Sequence, residues 1–152
     1  MPVIGCARLW HHSGVTLMSL RAADPEFHIQ AAFVTTVQLC YPDLLFTIAP
    51  SGFIMSAGMA MKMMRMGYRK GTPDLLFFEP RGTFHGLLIE FKAPRGTISD
   101  AQREFALLAR DRGYKVAFCF STAAGIAILD EYLHLPIPPR SPQWEYSIVG
   151  LE

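Results

Sequence analysis

Two apolar segments joined by a short turn constrain the fold of this chain more than any other feature. They occupy residues 75–78 and 86–89, and the turn between them contains Pro80 and Gly82. Strand-forming runs separated by such a turn predict a β-hairpin. The second run ends in Ile-Glu-Phe-Lys, so Glu90 and Lys92 add two charges to an apolar strand. Any fold of this chain must therefore accommodate a hairpin with charged side chains at one end.

The pairing of the two strands decides whether a third charge joins these two. Side chains alternate along a strand, so Glu90 and Lys92 share one face. Asp74 directly precedes the first strand. If Glu79 lies near Gly86, the numbers of paired residues sum to about 165. An even sum, about 164 or 166, puts Asp74 opposite Glu90 or Lys92, whereas an odd sum leaves it diagonal to them.

Two carboxylates and an ammonium group within reach of one another suit metal-assisted hydrolysis of a phosphodiester. Carboxylate oxygens bind hard divalent cations that also contact substrate phosphates. The cation polarises the phosphoryl oxygen and lowers the pKa of a bound water, and a lysine stabilises developing negative charge. The alternative for an E-x-K sequence is an ion pair on a solvated sheet face. The Gly-Thr-Pro-Asp sequence at residues 71–74 and the hairpin spacing favour the reactive site.

The rest of the sequence predicts one mixed sheet flanked by helices. Asp24, Pro25 and Glu26 form a helix start, and a capping box of Ser99 and Gln102 forms another. The predicted order is helix to about residue 39, strand 44–48, helix 57–66, the hairpin, helix 99–112, strand 114–120 and helix 122–133. Helices on a mixed sheet make an α/β fold.

Length and composition predict one globular domain with two peripheral segments. The chain has 152 residues, of which 51% are hydrophobic and 18% charged, so a disordered chain is excluded. Residues 1–23 are an N-terminal arm of uncertain role, residues 24–133 the domain, and residues 134–152 a Pro-rich tail. In that tail Trp144, Tyr146 and Ile148 alternate as in an edge strand.

Charge is unevenly distributed along the chain. Residues 62–115 contain eleven Lys or Arg against six Asp or Glu, although the net charge of the whole chain is +1. A basic region of this kind indicates a polyanionic partner. Residues 55–66 also contain six methionines. Core packing or a subunit contact is the favoured interpretation, and an adaptable binding surface is the alternative.

The cysteines and the apolar runs indicate a cytoplasmic protein. Cys6, Cys40 and Cys119 are odd in number and show no CxxC spacing, which predicts free thiols in a reducing compartment. No apolar run reaches the roughly 18 residues of a membrane span. The N-terminus lacks the pattern of a secretion signal.

Taken together, the motifs resemble the PD-(D/E)xK nuclease superfamily. The residues concerned are Gly71-Thr72-Pro73-Asp74, Glu90-Phe91-Lys92 and Ser99-Asp100-Ala101-Gln102. They are most similar to its virus-type replication-repair nuclease (VRR-NUC) branch, in the small single-domain form of phages and bacteria, over residues 24–133. The resemblance implies a restriction-endonuclease-like core of αβββαβ type. A second Pro-Asp, ending at Asp43, has no E-x-K a hairpin away, so Asp43 is interpreted as a turn residue.

The resemblance assigns a role to each motif residue. Asp74, Glu90 and the backbone carbonyl of Phe91 match the family's ligands to Mg²⁺ or Mn²⁺, and Lys92 matches its catalytic lysine. Glu26 stands in the place of a helix glutamate that joins the site, although a role in the helix dipole alone is the alternative. Gln102 matches a glutamine near the site, or serves only the capping box.

The activity implied is that of a metal-dependent DNA endonuclease. Relatives of this compact form resemble Holliday-junction resolvases and act as homodimers, which makes branched DNA the first expected substrate, in a bacterial cell or a phage-infected host. The alternatives are a nuclease for flaps or linear duplex, and a DNA-binding protein without turnover. Four basic residues flank the motifs as candidate phosphate contacts or as solvated charges: Arg69, Lys70, Arg95 and Arg103.

Overall fold

Helices and strands alternate along the described part of the chain, which in this computed structural model comprises residues 25–50 and 56–139. The elements are α1 (Pro25–Cys40), β1 (Phe46–Ile48), α2 (Ala57–Arg65), β2 (Leu75–Phe77), β3 (Gly86–Phe91), α3 (Asp100–Arg110), β4 (Tyr114–Cys119) and α4 (Thr122–Leu133). Their order agrees with that predicted from the sequence, and the ends differ by at most two residues. The α/β class is confirmed.

The strands form a mixed sheet in the order β1-β2-β3-β4. The pairs β1–β2 and β2–β3 are antiparallel, whereas β3 and β4 are parallel. The parallel pair requires a crossover, which α3 supplies. The hairpin β2–β3 therefore occupies the centre of the sheet, and the charged end of β3 lies between neighbours on both sides.

One face of the hairpin forms the core of the protein. Alternate residues of β2 and β3, among them Phe77 and Phe91, are buried against α1 and α4. Phe33 of α1 lies between these two rings, with centroid distances of 6.2 Å to Phe77 and 5.0 Å to Phe91. The intervening residues of both strands face the other way, towards α3. That second face carries Asp74 and Glu90.

Helix α2 presents its methionines outwards, which excludes one of the two roles favoured for it. It buries none of its residues, and three of its methionines expose large fractions of their surface: Met59 49%, Met61 59% and Met64 63%, as does Met66 just after the helix, with 72%. The prediction that these methionines pack in the core is therefore wrong for the residues that the structure describes. Methionine pattern alone cannot distinguish a buried face from one that is presented outwards. The two other interpretations, a subunit contact and an adaptable binding surface, stay as predictions.

The cysteine prediction is only partly correct. Cys119 is a buried free thiol, and burial raises its pKa to about 11. Cys40 is disulfide-bonded, so the prediction of a free thiol is wrong there. An odd cysteine count leaves one thiol over but does not exclude a pair among the rest.

Several predictions fall on residues that the structure does not describe. They are the Asp24 cap, the N-terminal arm 1–23 with Cys6, and the alternating tail residues Trp144, Tyr146 and Ile148. Within the described ranges, no helix has the length and apolar character needed to cross a membrane.

We expect Gly125 to control how closely α4 approaches the sheet. A Cβ atom built there would lie 2.9 Å from ring atoms of both Phe33 and Phe91. Because overpacking a core costs about 1–3 kcal/mol, Gly125→Ala should lower the free energy of unfolding in urea denaturation. Gly58→Ala is the matched control, since nothing lies within 4 Å of its added Cβ. Equal stability of the two variants would contradict this account of the α4 contact.

Candidate active site

The hairpin register brings the two predicted carboxylates together. Leu75 pairs with Ile89 and Phe77 with Leu87, so paired numbers have an even sum and Asp74 falls opposite Glu90. Asp74 Oδ2 accepts a hydrogen bond of 2.8 Å from the backbone N–H of Phe91. This bond ties the residue before β2 to the end of β3. The sequence left more than one strand register open, and the structure has the one that places Asp74 opposite Glu90.

Glu90 is a buried acid with one oxygen satisfied and one not. Its residue surface is only 3% exposed. Oε1 lies 2.8 Å from Lys92 Nζ and also accepts a hydrogen bond from Gln102 Nε2. Oε2 is buried and makes no hydrogen bond of normal geometry with the described residues. A buried acceptor without a full hydrogen bond is costly, so a cation or water at this oxygen would stabilise the site.

The surroundings of Glu90 shift its ionisation towards neutral pH. Burial raises its pKa and the charge of Asp74 raises it further, whereas Lys92 and a hydrogen bond from the Asp74 backbone lower it by a smaller amount; the result is a pKa of about 7. Two carboxylates side by side repel each other, so one of them retains its proton more readily. An added cation would relieve this repulsion.

Lys92 is buried beside Glu90 and lies near Glu26. It is 8% exposed, with Nζ 2.8 Å from Glu90 Oε1 and 3.9 Å from Glu26 Oε2. Burial lowers its pKa, but the hydrogen bond and charge of Glu90, with the charges of Glu26 and Asp74, outweigh burial and raise it. The ammonium group therefore stays charged within the site.

Glu26 does more than complement the dipole of α1. It lies in the first turn of that helix, and its Oε1 accepts a hydrogen bond of 3.1 Å from the backbone N–H of Ala93, just after β3. With its second oxygen near Lys92, Glu26 connects α1 to the charged end of the hairpin. The interpretation that restricts it to the helix dipole is therefore too narrow.

Gln102 makes both of the contacts that the sequence presented as alternatives. Its Oε1 accepts a hydrogen bond of 2.9 Å from the Ser99 N–H, and the Ser99 hydroxyl accepts one of 3.3 Å from the Gln102 N–H, which completes the capping box. Its Nε2 donates to Glu90. One amide thus fixes the start of α3 and holds the buried carboxylate, because its oxygen and its nitrogen point in different directions.

The loop that carries Asp74 packs tightly on the start of α3. Gly71 has a φ of +88°, and a Cβ atom there would lie 2.2 Å from the Ala101 carbonyl oxygen. Only glycine adopts this conformation at such a distance without strain. The glycine of the Gly-Thr-Pro-Asp sequence therefore sets the position of Asp74 relative to Gln102.

Tyr68 is a neighbour of the site that sequence reasoning missed. Burial raises the pKa of its phenol, and the charges of Glu90 and Asp74 raise it further. Its side chain therefore lies near enough to sense both acids. The only sequence signal is an aromatic residue close before the Gly-Thr-Pro-Asp loop, which is too common to be diagnostic.

The four candidate phosphate contacts are exposed and lie on the segments around the site. Arg69 pairs with Glu104 of α3 at 2.9 Å, and Arg103 with Asp100 at 3.7 Å. Exposed pairs of this kind contribute little to stability and exchange readily. Lys70 and Arg95 are exposed on the loops before β2 and after β3. Asp43 is an exposed turn residue, as predicted.

The possible metal ligands are few in number. Within residues 25–50 and 56–139, no group of three or more His, Cys, Asp or Glu side chains could hold a metal ion. The site offers the carboxylates of Asp74 and Glu90, with Phe91 between Glu90 and Lys92 in the chain. Hard cations such as Mg²⁺ are commonly held by one or two carboxylates, with water and substrate oxygens completing the shell. The unpartnered Glu90 oxygen fits such an ion.

Comparisons with known proteins agree with this arrangement. Residues 55–123 match the family model of the VRR-NUC domain. A solved structure described as a VRR_NUC domain protein superposes with a TM-score of 0.63 at 24% identity, over 76% of this chain and 93% of that chain. That likeness shows the fold. No curated protein gives a significant match.

The family model includes the Gly-Thr-Pro-Asp, Glu-x-Lys and Gln102 positions, whereas Glu26 lies outside it. The described fold, a mixed four-stranded sheet with flanking helices, is consistent with the restriction-endonuclease-like core. The resemblance predicted from the motifs is therefore confirmed over residues 55–123, which match the VRR-NUC family model, and the structural likeness shows a fold of the same kind.

Proposed function

We propose that this protein is a Mg²⁺- or Mn²⁺-dependent DNA endonuclease that hydrolyses phosphodiester bonds. The observation that carries the proposal is the buried Glu90 carboxylate, with one oxygen unpartnered, next to Asp74 and paired with Lys92. Strongly perturbed acids that cluster with a lysine are typical of reactive sites. A VRR-NUC domain at residues 55–123 supports the same reaction class.

The metal would be held by Asp74, Glu90 and the backbone carbonyl of Phe91. When bound, a hard divalent cation supplies charge for the phosphoryl oxygens and lowers the pKa of a bound water. Glu90 has to be ionised to act as a ligand. Its hydrogen bond from Gln102 orients the carboxylate, and its unpartnered Oε2 is the oxygen left for the cation.

Lys92 would stabilise the charge that develops on the phosphoryl group. The ammonium group is held in place by Glu90 and Glu26, so little reorganisation is needed as the charge forms. Glu26 acts as a positioning residue, because its other oxygen binds the backbone just beyond Lys92. Together these contacts keep the lysine at the charged end of the hairpin.

Branched DNA is the proposed substrate, bound by a homodimer. A two-fold pair of sites matches the approximate symmetry of a four-way junction. The exposed methionines of α2 are the proposed subunit contact, since large apolar side chains on a surface mark association sites. Arg69, Lys70, Arg95 and Arg103 would contact phosphates and orient the DNA without reading its sequence.

Cleavage of labelled four-way junction, flap and linear duplex DNA, with Mg²⁺ or with EDTA, tests this function. We expect metal-dependent cutting of the junction in preference to the others. Preferred cutting of flap or linear duplex would replace the substrate but keep the chemistry. Tight binding without cutting of any DNA would identify a non-catalytic DNA-binding protein on the same fold and refute the enzyme.

Asp74→Ala, Glu90→Ala and Lys92→Ala should each reduce cleavage by about 100-fold or more, because each removes a ligand or a charge worth several kcal/mol in the transition state. Asp43→Asn is the matched control and should cut normally, since Asp43 is exposed in a turn. Circular dichroism checks folding. Normal cleavage by Glu90→Ala in Mg²⁺ would refute the assignment.

The stability of the metal-free protein should fall as the pH rises through the titration of Glu90. The pKa of this acid is raised from 4.5 to about 7 in the folded protein. Between these values the folded state binds more protons than the unfolded state, so the free energy of unfolding decreases with rising pH. Urea denaturation in EDTA at several pH values measures this slope. Glu90→Gln should flatten it, and an equally steep slope in that variant would contradict the buried charge.

Association through α2 gives a separate prediction. Met61→Glu combined with Met64→Glu places two charges on neighbouring positions of the helix surface. Light scattering at micromolar concentration should show a dimer for the unaltered chain and a shift towards monomer for this variant. Leu39→Glu, at an exposed position of α1, should leave the mass unchanged. A monomer that still resolves junctions would refute the proposed assembly.

A further inference from the structure

A cleft lies beside the candidate active site, between the hairpin and α3. Its volume is about 320 Å³. Leu76, Phe78 and Leu88 of the hairpin segment line it, together with side chains of α3 and Tyr114 at the start of β4. Two guanidinium groups, those of Arg69 and Arg112, complete the lining. The lining therefore combines aromatic and aliphatic surface with positive charge.

The cleft continues the same face of the sheet that carries the reactive carboxylates. Leu76 pairs with Leu88, and Asp74 and Glu90 are one side-chain step further along the same two strands. Two residues of a strand span about 7 Å, so the apolar wall begins next to the proposed metal ligands. Arg69 also lies on the segment that leads into the Asp74 loop. A DNA strand that extends from the carboxylates along the direction of β2 and β3 would therefore pass over this cleft.

The side chains of the cleft are accessible for a ligand. Phe78 is 49% exposed, which leaves half of an aromatic surface in water. The Arg69 side chain is 57% exposed, and its partner Glu104 is 68% exposed. A phosphate can replace a carboxylate in so exposed a pair at little cost. Arg112 donates to the Leu108 carbonyl through Nη1, and a guanidinium group has further N–H donors for a second contact.

We propose that this cleft binds one unpaired nucleotide a short way along the strand from the phosphodiester that is cleaved, because Phe78 lies four strand residues, about 13 Å, from Asp74. The base lies against Phe78 and its apolar neighbours, and the adjoining phosphates contact Arg69 and Arg112. Aromatic stacking with flanking cations is the usual means by which proteins hold unpaired bases. The inference rests on the proposed nuclease function and refines its substrate: among branched DNAs, those with an unpaired base near the branch point are favoured over continuous duplex.

A second copy of the chain is a poorer occupant of this cleft. A subunit seated there would cover the face on which the carboxylates lie and would exclude DNA from them. The pair of arginines also favours an anionic ligand over another basic chain region. The outward methionines of α2 give association a separate surface.

Binding in EDTA tests the proposal without requiring cleavage. The probes are two fluorescein-labelled hairpin DNAs, one fully paired and one with a single bulged thymine, measured by fluorescence anisotropy. Phe78→Ala should weaken binding of the bulged probe by about 10-fold, as expected for a lost base–aromatic stack, and leave the paired probe unchanged. Phe78→Tyr should retain binding. Leu39→Ala, which trims an exposed apolar side chain of α1, is the matched control and should bind both probes normally.

A second measurement locates the base. With 5-iodouracil at the bulge, ultraviolet irradiation should crosslink the DNA to a peptide that contains Phe78 or Tyr114, and Phe78→Ala should reduce the yield. Equal binding of both probes by all variants, or crosslinks only elsewhere, would overturn the proposal. So would a change from dimer to monomer in Phe78→Ala, because the cleft would then be a subunit interface. A protein that binds the bulge as described but cuts no DNA would refute the nuclease function and not this site.

Discussion

The carboxylate of Glu90, enclosed by Lys92, Gln102 and Asp74, is the group to which the surrounding elements are tied. β2 approaches it through the hydrogen bond from the Phe91 N–H to Asp74, and α3 through the amide of Gln102. α1 reaches the same place through Glu26, which binds Lys92 and the Ala93 N–H. Three elements distant in sequence thus converge on the end of one strand.

Burying these charged groups lowers the stability of the folded protein. Burying charged groups costs several kcal/mol per ion, and an ion pair recovers this only where the remaining polar atoms are satisfied. Here Glu90 Oε2 is not satisfied, and its acid has a pKa of about 7. A well-packed apolar residue would give a more stable strand. The proposed metal site would account for this cost, because a bound cation would stabilise the charge on Oε2.

The sequence predicted the elements well because each carries its own local signals. Alternation, turn residues and capping boxes reflect interactions within a few residues, and they located every helix and strand of the described chain. The hairpin pattern also limited the possible strand registers to a few. Only the structure shows that Leu75 pairs with Ile89. The sequence could not decide whether Gln102 serves the helix cap or the site. Its amide oxygen serves the cap and its amide nitrogen binds Glu90.

Features that depend on contacts between distant segments were not predictable. The methionine segment has the same composition whether it is buried or presented outwards, so the sequence left core packing and a subunit contact open, and only the structure shows its exposure. The close approach of Gly71 to Ala101 and the proximity of Tyr68 to the acids arise only when α3 folds back onto the loop. The cleft beside Phe78 likewise requires α3 to pack against this face of the sheet. No periodicity in the sequence predicts where α3 packs.

The claim that Glu90 and Asp74 form a metal centre can be measured without any nucleic acid. Titration of the protein with Mn²⁺, followed by electron paramagnetic resonance of the free ion, counts the ions bound by each chain. We predict binding by the unaltered protein that weakens greatly in Glu90→Gln and in Asp74→Asn and is unchanged in Asp43→Asn. Undiminished Mn²⁺ binding by Glu90→Gln and Asp74→Asn would contradict the account.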